Sequence, residues 1–76
     1  VDRKRHDRIK AALALRGSSF SSIARDLGIT AASVSIVSMG HRRSAKIETA
    51  IADAIGMSPA RLWPDRYPHN VQGERP

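Results

Sequence analysis

The sequence predicts an all-α domain of five short helices, and two observations carry that reading. Four of the five glycines fall where an apolar pattern of helical spacing has just ended, and each is followed within a few residues by Ser or Thr. No run alternates polar and apolar residues between turn signals over enough length to make a strand. Glycine accepts the left-handed conformation that closes a helix, and a Ser or Thr oxygen takes the free N–H groups that open the next. The pairs are Gly17 with Ser19, Gly28 with Thr30, Gly40 with Ser44 and Gly56 with Ser58.

This punctuation places helices near residues 4–16, 20–27, 31–38, 45–55 and 59–63. The first offers Ile9, Ala12 and Leu13 as its apolar stripe, and the second Phe20, Ile23, Ala24 and Leu27. The third offers Val34 and Val37, and the fourth Ile47, Ala50, Ile51, Ala54 and Ile55. Pro59 suits the first turn of the last helix, where its missing N–H costs nothing, and Pro64 stops that helix. Pro68, Gly73 and Pro76 mark residues 68–76 as a frayed tail, which leaves 1–67 as the folded domain.

With 76 residues and 8.3 kDa the chain has room for one domain and a modest core. A chain of that size buries roughly 60% of the surface its unfolded form exposes. It has no cysteine, so neither a disulfide framework nor a zinc–thiolate staple is available, and packing or association must stabilise it. No apolar run is long enough for a membrane span and no charged-then-hydrophobic leader opens the chain, so a soluble, intracellular protein is expected. The chain opens on Val1 rather than Met, as a trimmed chain would.

A net charge of +6 asks for a polyanionic partner, nucleic acid first and an anionic membrane surface second. The charge forms two clusters. Residues 1–16 carry Arg3, Lys4, Arg5, Arg8, Lys10 and Arg16 against Asp2 and Asp7, and residues 41–46 carry Arg42, Arg43 and Lys46 with no acid. Between them, residues 17–40 hold only Arg25 and Asp26. Either cluster alone is equally well read as a solvated face.

The neutral middle has the spacing of a helix-turn-helix. Ala24 is small, as a close helix crossing needs, and Gly28 supplies the turn four residues on. Val34 and Val37 pack the second helix on the first, while Ile23, Leu27 and Ile29 fill the remaining buried places. Such a unit presents its second helix to the DNA major groove. Thr30 caps that helix, whose exposed residues are then Ala31, Ala32 and Ser33, with Ser35 and Ile36 one turn on. These are the candidates for base reading. None is the Arg, Lys, Asn or Gln that makes bidentate base contacts, so direct readout is thin and DNA shape carries part of the specificity.

Affinity then comes from phosphates. Ser19, Ser21 and Ser22 stand at the N-terminus of the second helix, and Thr30 opens the third, where backbone N–H groups suit a phosphate oxygen. For Ser19, helix capping is the better reading. His41, Arg42 and Arg43 form the loop leaving the recognition helix, with Lys46 just beyond.

The helix-turn-helix together with the closing L-W-P-D-R-Y, Leu62 to Tyr67, resembles the Ner/Nlp family of small DNA-binding regulators of Mu-like transposable phages and their bacterial relatives. The resemblance covers about residues 6–67. It is carried by A-R-D-L-G at Ala24 to Gly28 and, more specifically, by Trp63, Pro64, Arg66 and Tyr67. It implies a five-helix, lambda-repressor-like fold and a Cro-like negative regulator of early phage transcription on a dyad-symmetric operator, in the cytoplasm or nucleoid of a bacterium. A role on host genes is the alternative. By matching position, Ala31, Ala32, Ser33 and Ser35 inherit the recognition role, and Ser21, Arg42, Arg43 and Lys46 the backbone role. The family's recognition helix can carry larger polar side chains than these, which bears on the target sequence rather than on the mode of binding. Without the family, Trp63 is most simply the plug that closes a small core.

Metal, cofactor and catalytic chemistry are not expected. His6, His41 and His69 are too far apart for a local ligand pair, and neither an H-E-x-x-H helix nor an Asp-rich calcium loop occurs. The nine serines include no G-x-S-x-G elbow. The competing class is a helical protein-interaction module whose basic ends serve solubility, and replacing Arg42 and Arg43 by Glu distinguishes it from a DNA-binding protein. A membrane-surface role would need the Ile9 and Leu13 that the core uses. No leftover apolar stripe marks a dimer surface, so a monomer that pairs on DNA is expected.

Overall fold

In the computed structural model, which describes residues 3–67, the chain forms α1 (Arg3–Leu15), α2 (Phe20–Leu27), α3 (Ala31–Met39), α4 (Ala45–Ile55) and α5 (Pro59–Leu62), and the described residues contain no strand. The expected tail at 68–76 lies outside the described residues. Each of the last four helices opens on the hydroxyl that the sequence marks. Ser19, Thr30, Ser44 and Ser58 accept hydrogen bonds from the N–H groups of Ser22, Ser33, Ile47 and Arg61. Each cap of this kind contributes about 1 kcal/mol.

The closing geometry is equally regular. At the end of α2, Gly28 donates to the Arg25 carbonyl at 3.2 Å and Ile29 to the Ala24 carbonyl at 2.9 Å, the paired bonds of a Schellman motif. That motif requires the left-handed backbone that Gly28 adopts at φ 72°, ψ 32°. It also corrects one expectation. Ile29 follows the left-handed residue, on the outer side of the turn, and is 38% exposed instead of buried.

The core is one cluster to which all the long helices contribute: Ile9 and Leu13 from α1, Ile23 and Ala24 from α2, Val34 from α3, and Ile51 and Ile55 from α4. Trp63, fully buried, closes it from the end of α5. Its indole N–H has no acceptor among the described residues, so its contribution is packing. Replacing Trp63 with Ala should therefore lower stability by about 3–5 kcal/mol, measured by urea denaturation. A loss below about 1 kcal/mol would show that the ring is not the plug.

Candidate nucleic-acid interface

The axes of α2 and α3 bend by 116° across the Gly28 turn, within the range of helix-turn-helix units. Val34 and Val37 turn inward and are fully buried, which leaves the opposite flank of α3 to solvent. On that flank Ala32 is exposed, Ser35 is half-buried and Ile36 is 38% exposed, while Ala31 and Ser33 lie half-buried at its edges, Ala31 packed against the core.

An open cleft of about 470 Å³ runs along the start of α3. It brings together Ala31, Ala32 and Ser35 from α3, Ser19 and Ser21 from the start of α2, and Lys10 from α1. Two sets of candidates thus share one concavity. In the sequence Lys10 does not stand apart from the basic cluster of residues 1–16. Its signal was its position: at 100° per residue Lys10 and Ala14 lie on one flank of the Ile9–Leu13 core stripe, but that this flank faces α3 is decided by tertiary packing.

The hydroxyls divide by the bonds they make. Ser19 caps α2, as the better of its two readings holds. Thr30 caps α3 and its Oγ1 also lies 2.9 Å from Oγ of Ser33, so both hydroxyls already have a local partner. Ser21 is exposed at the N-terminal turn of α2, whereas Ser22 is half-buried. His41, Arg42 and Lys46 are exposed around the start of α4.

Arg43 stands apart from the other loop cations. Its Nε donates to the Glu48 carboxylate at 2.9 Å, and a terminal nitrogen donates to the Arg66 carbonyl oxygen at 3.4 Å. Glu48, fully buried on α4, is the hub of a network. Arg66 reaches the same carboxylate oxygen at 3.2 Å, and the Tyr67 hydroxyl donates to the other. Burial pushes the Glu48 carboxyl up, but Tyr67, Arg43 and Arg66 together outweigh it and hold the group below its ordinary value.

Arg66 does more than neutralise Glu48. It donates to the carbonyls of Val37 at 2.9 Å and Ser38 at 3.2 Å, placing a cation at the C-terminal end of α3 where the helix dipole favours one. Its guanidinium also lies over the Trp63 ring, 4.7 Å from the centroid. The Trp63–Tyr67 segment thereby ties the end of α3 to α4. From the other side, His6 of α1 stacks on Phe20 and lies with Nδ1 2.9 Å from Oγ of Ser38. Burial lowers the His6 pKa, with Lys10 and Arg3 adding to the effect and Asp7 opposing it. Neither Glu48 nor His6 stood out in sequence, because a polar residue inside an apolar stripe reads as surface until its partners are known.

This arrangement restricts one of the proposed tests. Arg43→Glu would set a second carboxylate against buried Glu48, so loss of binding in an Arg42/Arg43 double variant would mix unfolding with lost contacts. Arg42 and Lys46 are free of that objection: neither has an ion-pair partner among the described residues. Among those residues no group of three or more His, Cys, Asp or Glu side chains can hold a metal ion. Among the described residues no single helix is long and apolar enough to cross a membrane, and α2 with α3 reaches that length only as a pair bent by 116°.

Two helices crossing at a glycine turn, the second held at its far end and open along its first turns, form a helix-turn-helix domain of the DNA-binding kind. The chain belongs to the winged helix-turn-helix DNA-binding family, whose model matches residues 3–76. The wing named in that description, ordinarily a β-hairpin, has no counterpart among the described residues, which contain no strand. Neither a curated protein nor a solved structure matches the chain.

Proposed function

We propose that the protein is a sequence-specific, double-stranded-DNA-binding transcriptional regulator, a Cro-like negative regulator of the Ner/Nlp kind. The carrying observation is the cleft shared by Ser19, Ser21, Lys10 and the start of α3. It puts a hydroxyl-bearing helix N-terminus and a lysine beside the small residues that enter the groove. Ala31, Ala32, Ser33, Ser35 and Ile36 face the bases, and the alanines let the helix backbone approach closely. Ser19, Ser21, Ser22, Thr30, His41, Arg42 and Lys46 lie along the phosphates. Arg43 takes part through the guanidinium edge that Glu48 leaves unused, its side chain being 54% exposed. The protein is a monomer in solution and two copies occupy a dyad-symmetric operator.

A gel shift with a duplex selected from a random pool, against random competitor at about 150 mM salt, tests the proposal. Preference for the selected duplex supports it, and equal affinity rejects sequence specificity. Neutralising ~4–6 phosphates gives a slope of log K against log salt of about −4 to −5. A nearly flat response would reject DNA as the partner. Sedimentation showing a tight dimer at low micromolar concentration would reject the monomeric state.

A further inference from the structure

Helix α1 has a second flank. Arg3 and Lys10 lie toward one side of its core stripe, while Arg5, Arg8, Ala12 and Leu15 lie toward the other. That second flank and the α4–α5 corner enclose an open groove of about 620 Å³. Leu15, Met57 and Leu62 give it an apolar lining, and Arg5, Arg8 and Arg61 stand around it. Leu15 is 88% exposed, by far the most exposed large apolar side chain among the described residues, although a leucine at that helix position has no role in capping or turn formation. Of the three arginines, Arg5 is held by Asp65 at 2.8 Å. Arg8 and Arg61 are exposed, with no acid partner among the described residues.

We infer that this groove is a docking site for an acidic amphipathic segment of a partner protein, on a different face from the α3 cleft. Charge complementarity selects the occupant. A second copy of the chain would bring two arginine rims together, so self-association through this face is opposed. A duplex offers phosphates to Arg8 and Arg61 but nothing to cover Leu15, Met57 and Leu62. A helix with apolar residues at i, i+3, i+4 and i+7 covers the leucines and sets its carboxylates against the rim. The two clefts share no lining residue, so docking and DNA binding are compatible on one copy.

The test uses the full chain and a fluorescent ~14-residue synthetic peptide with leucines at that spacing and Asp or Glu elsewhere. Saturable binding is expected, with amide shifts confined to residues 8–15 and 55–64. Leu15→Ser and Arg8→Glu, both at exposed positions, should each weaken it about tenfold or more while leaving duplex affinity unchanged within about twofold. Four results would overturn the inference: no saturable binding, equal binding of a peptide with Lys in place of the acids, shifts falling on residues 30–43, or peptide binding untouched by Leu15→Ser. Two more would replace the partner: loss of duplex affinity in Arg8→Glu matching that of an Arg42→Glu variant would assign the rim to DNA, and Leu15-dependent self-association would assign the groove to a second copy.

Discussion

Replacing Glu48 with Ala should lower the stability of the domain by about 3–5 kcal/mol, because it leaves the mostly buried Arg66 without its counter-charge. A domain of this size loses roughly 4–8 °C in Tm per kcal/mol, so the unfolding midpoint should fall by about 12 °C or more. The cause is the stranded charge, not the intrinsic worth of the ion pair, since desolvating two charges cancels much of their attraction. A Glu48→Leu, Arg66→Met double variant should therefore recover part of the loss: apolar volume replaces both ions, but the Val37 and Ser38 carbonyls lose the donor that Arg66 supplied. A Glu48→Ala variant as stable as the parent would show that the network is not closed in solution. The same geometry sets the pH dependence. Glu48 has a folded pKa below its ordinary value of 4.5, so its contribution is full above that pH and is lost as pH falls through the folded value. His6 acts in the same direction from a higher starting point: its folded pKa lies below 6.5, so the unfolded chain takes up the proton first and stability declines below that pH. Thermal melts should show an acid-side decline beginning near pH 6.5 that His6→Gln removes, and a second, below pH 4.5, that it does not.

Arg42→Glu combined with Lys46→Glu should weaken binding to the selected duplex by about 100-fold or more near 0.1 M salt and reduce the magnitude of the log K against log salt slope by about 2, one phosphate contact for each residue. Thermal stability should not fall with it. Lys46 is in the first turn of α4, just after the Ser44 cap, where a cation opposes the helix dipole and a glutamate complements it. The variant therefore separates binding from folding by the sign of the two changes. Unchanged affinity would reject phosphate contacts from this loop, and a cooperative fold lost together with affinity would mean that the loop is structural.

How much of this was legible in the sequence depends on the range of the interaction. Helix starts and stops are local: Ser19 caps the N–H of Ser22 and Gly28 closes α2 on Ala24 and Arg25, all within five residues, so the five elements and their order could be read directly. The burial of Ile9, Leu13, Val34 and Ile51 follows from apolar spacing, and even Trp63 as the plug follows from its size and its place at the end of a one-turn helix. Ile29 reads as buried yet lies exposed, because spacing alone does not tell the inner from the outer side of a Schellman turn.

The charged residues were legible in number but not in allocation. Thirteen Lys and Arg against seven acids predict an anionic partner. Which cations remain available to it is decided by contacts across the fold. Arg66 meets Val37 and Ser38 from 29 and 28 residues away, and His6 meets Ser38 across 32. The sequence by itself determined the helix-turn-helix and its basic flanks, because capping, turn chemistry and apolar periodicity act over a few residues. Only the tertiary structure decided that Arg43 and Arg66 are bound to Glu48, that Lys10 lies beside the start of α3, and that Leu15 stands exposed on another face. The physical reason is that a charge's role is set by what burial places within a few ångströms of it, and packing, not spacing along the chain, chooses those neighbours.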